Sequence, residues 1–198
     1  MRRSLQLCAL LFAACLAAAP AVAQRGAITV PRNLDQLTDR ASDIVRGTVV
    51  EARVEKHPEL TNLDTVVVTL RLREALKGPA QGTYSFRQYI WDIRDRYDAA
   101  GYRKGQEYLL LMNAPSRYGL TSPAGMEQGR FRIQRDRSGR EIAINGAGNL
   151  RLFDGLDGNA KQGAALTAKQ VSLVAKHRAG PLAVEDLTAL IRAYARGE

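Results

Sequence analysis

Between residues 65 and 74 the side chains alternate between apolar and polar. Val66, Val68, Leu70 and Leu72 fall on one side and Thr69, Arg71 and Arg73 on the other, with Val67 the one apolar residue among them. A period of two marks a strand with one face buried and one face wet. The stretch LKGP that follows, 76–79, stops it, because proline has no N–H to give and glycine permits a turn. Alternation resumes at Thr83, with Tyr84 and Phe86 on the apolar side and Ser85 and Arg87 opposite.

Other stretches carry the same kind of signal. DIVRGTVVEARVEKH, 43–57, is β-branched, but its phase slips at Gly47, which predicts a bulge or bend there. YLLLM, 108–112, is apolar on both sides and bounded by Gly105 and Pro115, as suits a central strand buried on both faces. Residues 118–121 are expected to add a short strand. The run 129–145 predicts a hairpin in which Phe131 and Ile133 face Ile142 and Ile144 across the turn 136–139.

Three segments read as helical. Leu34, Leu37 and Ala41 form one stripe, with Asn33 placed to cap it. Ile90, Ile93, Tyr97 and Ala100 fall at helical spacing, with Asp92 and Arg96 as an i,i+4 pair and Gly101 as terminator. Near the end, Leu187, Leu190, Ile191 and Tyr194 make an apolar stripe. Glu185 and Asp186 occupy its first turn, and Arg192 and Arg196 its last, matching the helix dipole.

Antiparallel strands with a helix between the third and fourth predict a mainly β, α+β chain: a small OB-like antiparallel barrel with a short N-terminal helix and a C-terminal amphipathic helix. A β-sandwich is the alternative. Alternate residues from Ile44 to Ile144 are expected to enclose one dry interior. The organisation that follows is a leader at 1–23, an arm and short helix at 24–42, and the barrel at 43–153. A linker poor in large apolar residues occupies 154–170, and a helical segment 171–198.

The leader rests on Arg2 and Arg3, an apolar run from Leu7 to Ala19, the break at Pro20 and the small-x-small pattern Ala21-Val22-Ala23. This reads as a secretory signal cut after Ala23. The apolar run is shorter than the roughly 20 residues of a membrane span, so no stable span is expected after cleavage, and an uncleaved anchor is the alternative. Phe12-Ala13-Ala14-Cys15 loosely imitates a lipobox, which leaves a lipoprotein form as another. Both cysteines, Cys8 and Cys15, lie in the leader, so the mature chain would have no disulfide, thiolate nucleophile or Cys-bound zinc. The expected location is periplasmic or secreted. The formal charge of +9 loses only Arg2 and Arg3 with the leader and still favours anionic partners.

The stretches DIVRGTVVEA, TLRLREALKG, GQEYLLLM and GMEQGRFRI, spread over about residues 43–133, resemble those of uncharacterised exported bacterial proteins with a small OB-like β-barrel. The resemblance implies the barrel and brings no catalytic residue. Tyr89-Ile90-Trp91 departs from the glycine that such sequences favour after the third strand.

Candidate chemistry is sparse. His57 and His177 adjoin no nucleophile motif and read as surface histidines; G-x-S-x-G, H-E-x-x-H and P-loop patterns do not occur. Asp92, Asp95 and Asp98 alternate with Arg94 and Arg96, and DGLDGN at 154–159 lacks calcium-loop spacing. No catalytic residue, metal or cofactor is assigned. For binding, barrels of this type stack bases on aromatics while cations track the phosphates. Arg71, Arg73, Arg87, Tyr89 and Trp91 are the candidates on the second and third strands, since Tyr84 and Phe86 belong to the core side. Arg130 and Arg132, pointing away from Phe131 and Ile133, form a second cationic feature. The expected function is an exported non-enzymatic binding or accessory protein of the bacterial cell envelope, with an envelope protein or an anionic envelope polymer as partner. An envelope enzyme with Asp/Glu chemistry is the alternative, and single-strand nucleic-acid binding a weaker one that the leader disfavours.

Overall fold

The computed structural model describes residues 29–80, 82–156 and 166–195. The leader with Cys8 and Cys15, the first part of the arm, the latter half of DGLDGN and Arg196 lie outside the described residues.

Helix α1 (Leu34–Arg40) starts at a reciprocal cap. The Asn33 side chain accepts from the Gln36 backbone N–H at 3.0 Å, and the Gln36 side chain accepts from the Asn33 N–H at 3.1 Å. Leu34 and Leu37 are fully buried, which stabilises the fold by about 1.5–3 kcal/mol each. Strands β1 (Asp43–Lys56), β2 (Asp64–Lys77) and β3 (Thr83–Tyr89) follow as a meander. Then come β4 (Glu107–Met112), the hairpin β5 (Arg130–Arg135) and β6 (Glu141–Asn145), helix α2 (Ala168–Lys176), the two-residue β7 (Leu182–Ala183) and helix α3 (Val184–Ala195). The strands form one antiparallel sheet ordered β3-β2-β1-β4-β5-β6-β7, which is not closed.

The bend expected at Gly47 is present as a register shift between Arg46 and Gly47. Glycine is needed there, because a Cβ at this position would sit 2.7 Å from the carbonyl oxygen of Arg71 on β2.

The expectation of a single enclosed interior is overturned. Two cores lie on opposite faces of the sheet. Val45, Val49, Val66, Val68, Leu70, Tyr84, Phe86, Tyr108, Leu110 and Met112 form one, on the face of β1 to β4 away from the helices. Ile44, Leu109, Leu111, Phe131, Ile133 and Ala143 form the other, under the stripes of α1 and α3. Strand β4 is the divide: successive side chains point to opposite faces, so Leu109 and Leu111 serve one core and Tyr108, Leu110 and Met112 the other. Helix α3 contacts α1, β2, β6 and β7, with Leu187, Leu190 and Ile191 fully buried.

Four local expectations change. In the hairpin, Phe131 pairs with Asn145 and Ile133 with Ala143, so Ile142 and Ile144 lie on the opposite face from them. The segment after β3 forms two 3-10 turns, Ile93–Arg96 and Ala99–Gly101, in place of a helix. Arg94 pairs with Asp92 there, and Arg96 reaches Asp64 at 3.2 Å. The strand expected at 118–121 is reduced to isolated bridges, Leu120 parallel to Arg87 and Pro123 antiparallel to Met112. Helix α2 begins at Ala168, inside the stretch read as linker, and is capped by Thr167 and Gln170. Among the described residues no helix is long and apolar enough to cross a membrane.

Candidate functional site

Where the helices end, the outer face of β1–β3 meets solvent. Across it, in register, Thr48, Arg71 and Thr83 form one row, Glu51, Thr69 and Ser85 the next, then Arg53, Val67 and Arg87, then Glu55, Thr65 and Tyr89. The hydroxyls of Thr69 and Ser85 are 2.9 Å apart. Pleat geometry sends the alternate residues Val66, Val68, Leu70, Tyr84 and Phe86 into the core behind this face.

One end of the face is aromatic. Tyr89 and Trp91 meet edge to face, with ring centroids 4.9 Å apart at 84°. Trp91, Ile93 and Tyr97 are 58 %, 61 % and 87 % exposed. The cations beside them are already matched. Arg87 pairs with Glu55 at 2.5 Å and donates to the Thr65 hydroxyl at 2.8 Å, and Arg94 pairs with Asp92. Asp64 takes both Lys56 and Arg96. Hydrogen bonds from Arg53 and then Arg87 hold the Glu55 carboxyl below the usual range, and the bond from Lys56 does the same for Asp64.

The other end is basic. At the border with the helix-covered core, Arg46 donates to Glu107 at 2.7 Å and to Glu141 at 2.6 Å. Arg73 approaches both carboxylates, at 3.3 and 3.1 Å, and Arg135 reaches Glu141 at 3.1 Å. Burial opposes the Arg46 charge, but the bonds from Glu141 and Glu107 outweigh it and raise its pKa; the bond from Arg46 in turn lowers that of Glu141. Register brings more cations to the same end. Glu107 pairs across with Thr48 and Ile133, and Thr48 with Arg71. Arg103 and Lys104 lie in the turn whose Gly105 N–H bonds to Val49 O at 2.8 Å. Arg132, opposite Tyr108 and so on the face away from Arg71, and Arg137 in the hairpin turn are further cations near the start of β4. Arg71, Arg103, Lys104, Arg132 and Arg137 are exposed and have no carboxylate partner among the described residues.

The residues singled out from sequence therefore divide. Arg71 and Arg132 have no carboxylate partner among the described residues, and Arg73 is shared with a network. Tyr89 and Trp91 form the aromatic end, and Arg87 beside them is neutralised. Arg130 is buried. Its guanidinium lies over the Tyr102 ring, pairs with Glu127 at 2.7 Å and donates to Ala100 O at 2.6 Å. Arg103, Lys104, Ile93 and Tyr97 were not singled out from sequence. The signal for the first two was a basic pair in the turn RKG just before a strand. The other two were assigned to a helix that does not form.

Both histidines were expected at the surface. His57 is instead 2 % exposed. Its Nδ1 accepts from the backbone N–H groups of Glu59 and Leu60, at 3.2 and 3.0 Å, so Nε2 carries the proton and donates to Tyr118 O at 2.9 Å. His57 thus ties the β1–β2 loop to the segment after β4. His177 is half-buried at the end of α2, edge-on to Phe153, and burial, then Arg178, lowers its pKa.

Among the described residues no three or more His, Cys, Asp or Glu side chains gather as metal ligands would. Comparison with protein-family models, curated proteins and solved structures finds no match to this chain.

Proposed function

We propose that the protein is an exported, non-enzymatic binding module of the bacterial cell envelope that holds an anionic polymer at its basic end. The observation that carries this reading is that Arg71 on the outer face, Arg103 and Lys104 in the turn before β4, and Arg132 and Arg137 on the β5–β6 hairpin have no carboxylate partner among the described residues, while the other cations of β1, β3 and β5 are matched by carboxylates. Clustered like charge weakens the folded state by self-repulsion and focuses a field on a polyanion, so its use lies in binding. The carboxylates that bear on an enzymatic alternative, Glu55, Asp64 and Glu141, are held ionised by arginine and lysine partners, which suits ion pairing and not general-acid work.

An OB-like barrel is our reading of the β1–β4 half. Its support is the segment 120–123, which bridges β3 at Arg87 and β4 at Met112, around the core from Val45 to Met112. Export rests on the leader read from residues 1–23.

The test is retention of residues 24–198 on heparin and phosphocellulose at physiological salt, against an unrelated protein of the same net charge. Elution at clearly higher salt than the control is expected. Co-elution with the control contradicts the proposal.

A further inference from the structure

The aromatic end serves neither core, and the charges around it are spent: Glu55 holds Arg87, Asp92 holds Arg94 and Asp64 holds Arg96. What it offers a ligand is ring surface. Taking 150–250 Å² for a buried aromatic, the open parts of Trp91, Ile93 and Tyr97 amount to roughly 400–500 Å². A stable protein interface takes about 800 Å² from each side, so a second copy or an obligate protein partner is poorly served. Exposed side chains of this extent, with Trp91 held edge to face on Tyr89, suit a narrow ligand that stacks on a ring.

The two ends share one strand pair. Arg71 opposes Thr83 and Thr65 opposes Tyr89, six residues along, or about 20 Å. Single-strand nucleic acid needs phosphate-tracking cations beside the stacking rings. Here the open cations and the rings stand at opposite ends. A polymer of sugar rings has no such requirement: the C–H face of one ring packs on the indole, while acidic groups on other rings reach the basic end.

We infer that the Trp91–Tyr97 surface is a sugar-stacking platform, and that the polymer held at the basic end is an acidic polysaccharide. The inference rests on the anionic-polymer reading above and adds the ring contact. Trp91 is the only tryptophan in the chain, so its fluorescence reports the platform directly.

The purified protein is titrated with a heparin decasaccharide, a neutral hexasaccharide of N-acetylglucosamine and an oligothymidylate. Both saccharides are expected to shift Trp91 emission to the blue and to reduce acrylamide quenching about twofold. The neutral sugar does so also at about 0.5 M salt, where charge attraction is screened. Tyr97→Ser, which keeps the reporter, weakens neutral-sugar binding by at least about fivefold. Heparin binding with no saccharide affecting Trp91 overturns the platform and leaves the basic end standing. Loss of heparin binding overturns the acidic-polysaccharide assignment. Protection of Trp91 by the oligothymidylate alone overturns both parts in favour of nucleic acid.

Discussion

The guanidinium of Arg130 lies 4.7 Å from the centroid of the Tyr102 ring, with its Nη1 2.6 Å from the carbonyl oxygen of Ala100. Ala99, Ala100 and Gly101 all have positive φ, at 50°, 54° and 77°, a conformation that alanine adopts only under constraint. Arg130 pins that turn from β5. Replacement by methionine leaves Glu127 without its cation and Ala100 O without its donor. Arg130→Met should cost about 2–4 kcal/mol in urea unfolding, and Arg130→Lys less. A loss below about 0.5 kcal/mol contradicts the pinning role.

Tyrosine ionisation should be coupled to unfolding at high pH. Burial raises the pKa of Tyr84, Tyr108 and Tyr194 and pushes Tyr102 up to about 12. Unfolded tyrosine ionises near ~10, so the native state binds these protons more tightly. Their contribution to stability is full below pH ~10 and is lost as pH rises toward about 12. Absorbance at 295 nm and circular dichroism, followed together, should show a late set of phenols ionising as the fold is lost. Complete ionisation with the fold intact contradicts the burial.

His57 should matter for stability with no part in binding. His57→Ala leaves the N–H groups of Glu59 and Leu60 and the carbonyl of Tyr118 without partners, at a cost of about 2–3 kcal/mol. Hydrogen exchange should accelerate first at the Glu59 and Leu60 amides. Unchanged exchange there contradicts the clamp.

The bend in β1 can be tested at one residue. Gly47→Ala sets a methyl group 2.7 Å from Arg71 O, a backbone atom that cannot step aside without moving β2. A loss of about 1–3 kcal/mol is expected from thermal or urea unfolding. An alanine variant as stable as the parent shows that β1 and β2 part more easily than their register suggests.

Much of this fold was legible in the alternation of Val66 to Leu72, the phase slip at Gly47, the cap at Asn33 and the stripe Leu187–Tyr194. The error of a single interior was also correctable from sequence. A strand apolar on both sides, as 108–112 is, needs cover on both faces, and the two helical stripes were available to cover one of them. The start of helix α2 was placed three residues late because Val174 is its one buried residue, so its pattern is faint. The turn after β3 misled because Ile93 and Tyr97 sit at helical spacing yet face solvent. Arg71, Arg73 and Arg132 were visible as cations. Which arginines had carboxylate partners was not visible, since Glu55–Arg87 and Glu141–Arg46 join residues far apart in the chain.

The most direct measurement compares two triple variants that carry the same net charge. One reverses the basic end, with Arg71, Arg103 and Arg132 each changed to Glu. The other reverses exposed cations elsewhere, with Arg40, Lys176 and Arg178 each changed to Glu. Affinity for a heparin decasaccharide is measured by titration calorimetry at physiological salt. The basic-end variant should lose at least about 30-fold, or ~2 kcal/mol, and the other no more than about threefold. Equal losses in the two variants would show attraction by overall charge alone and would contradict a binding site at this end of the sheet.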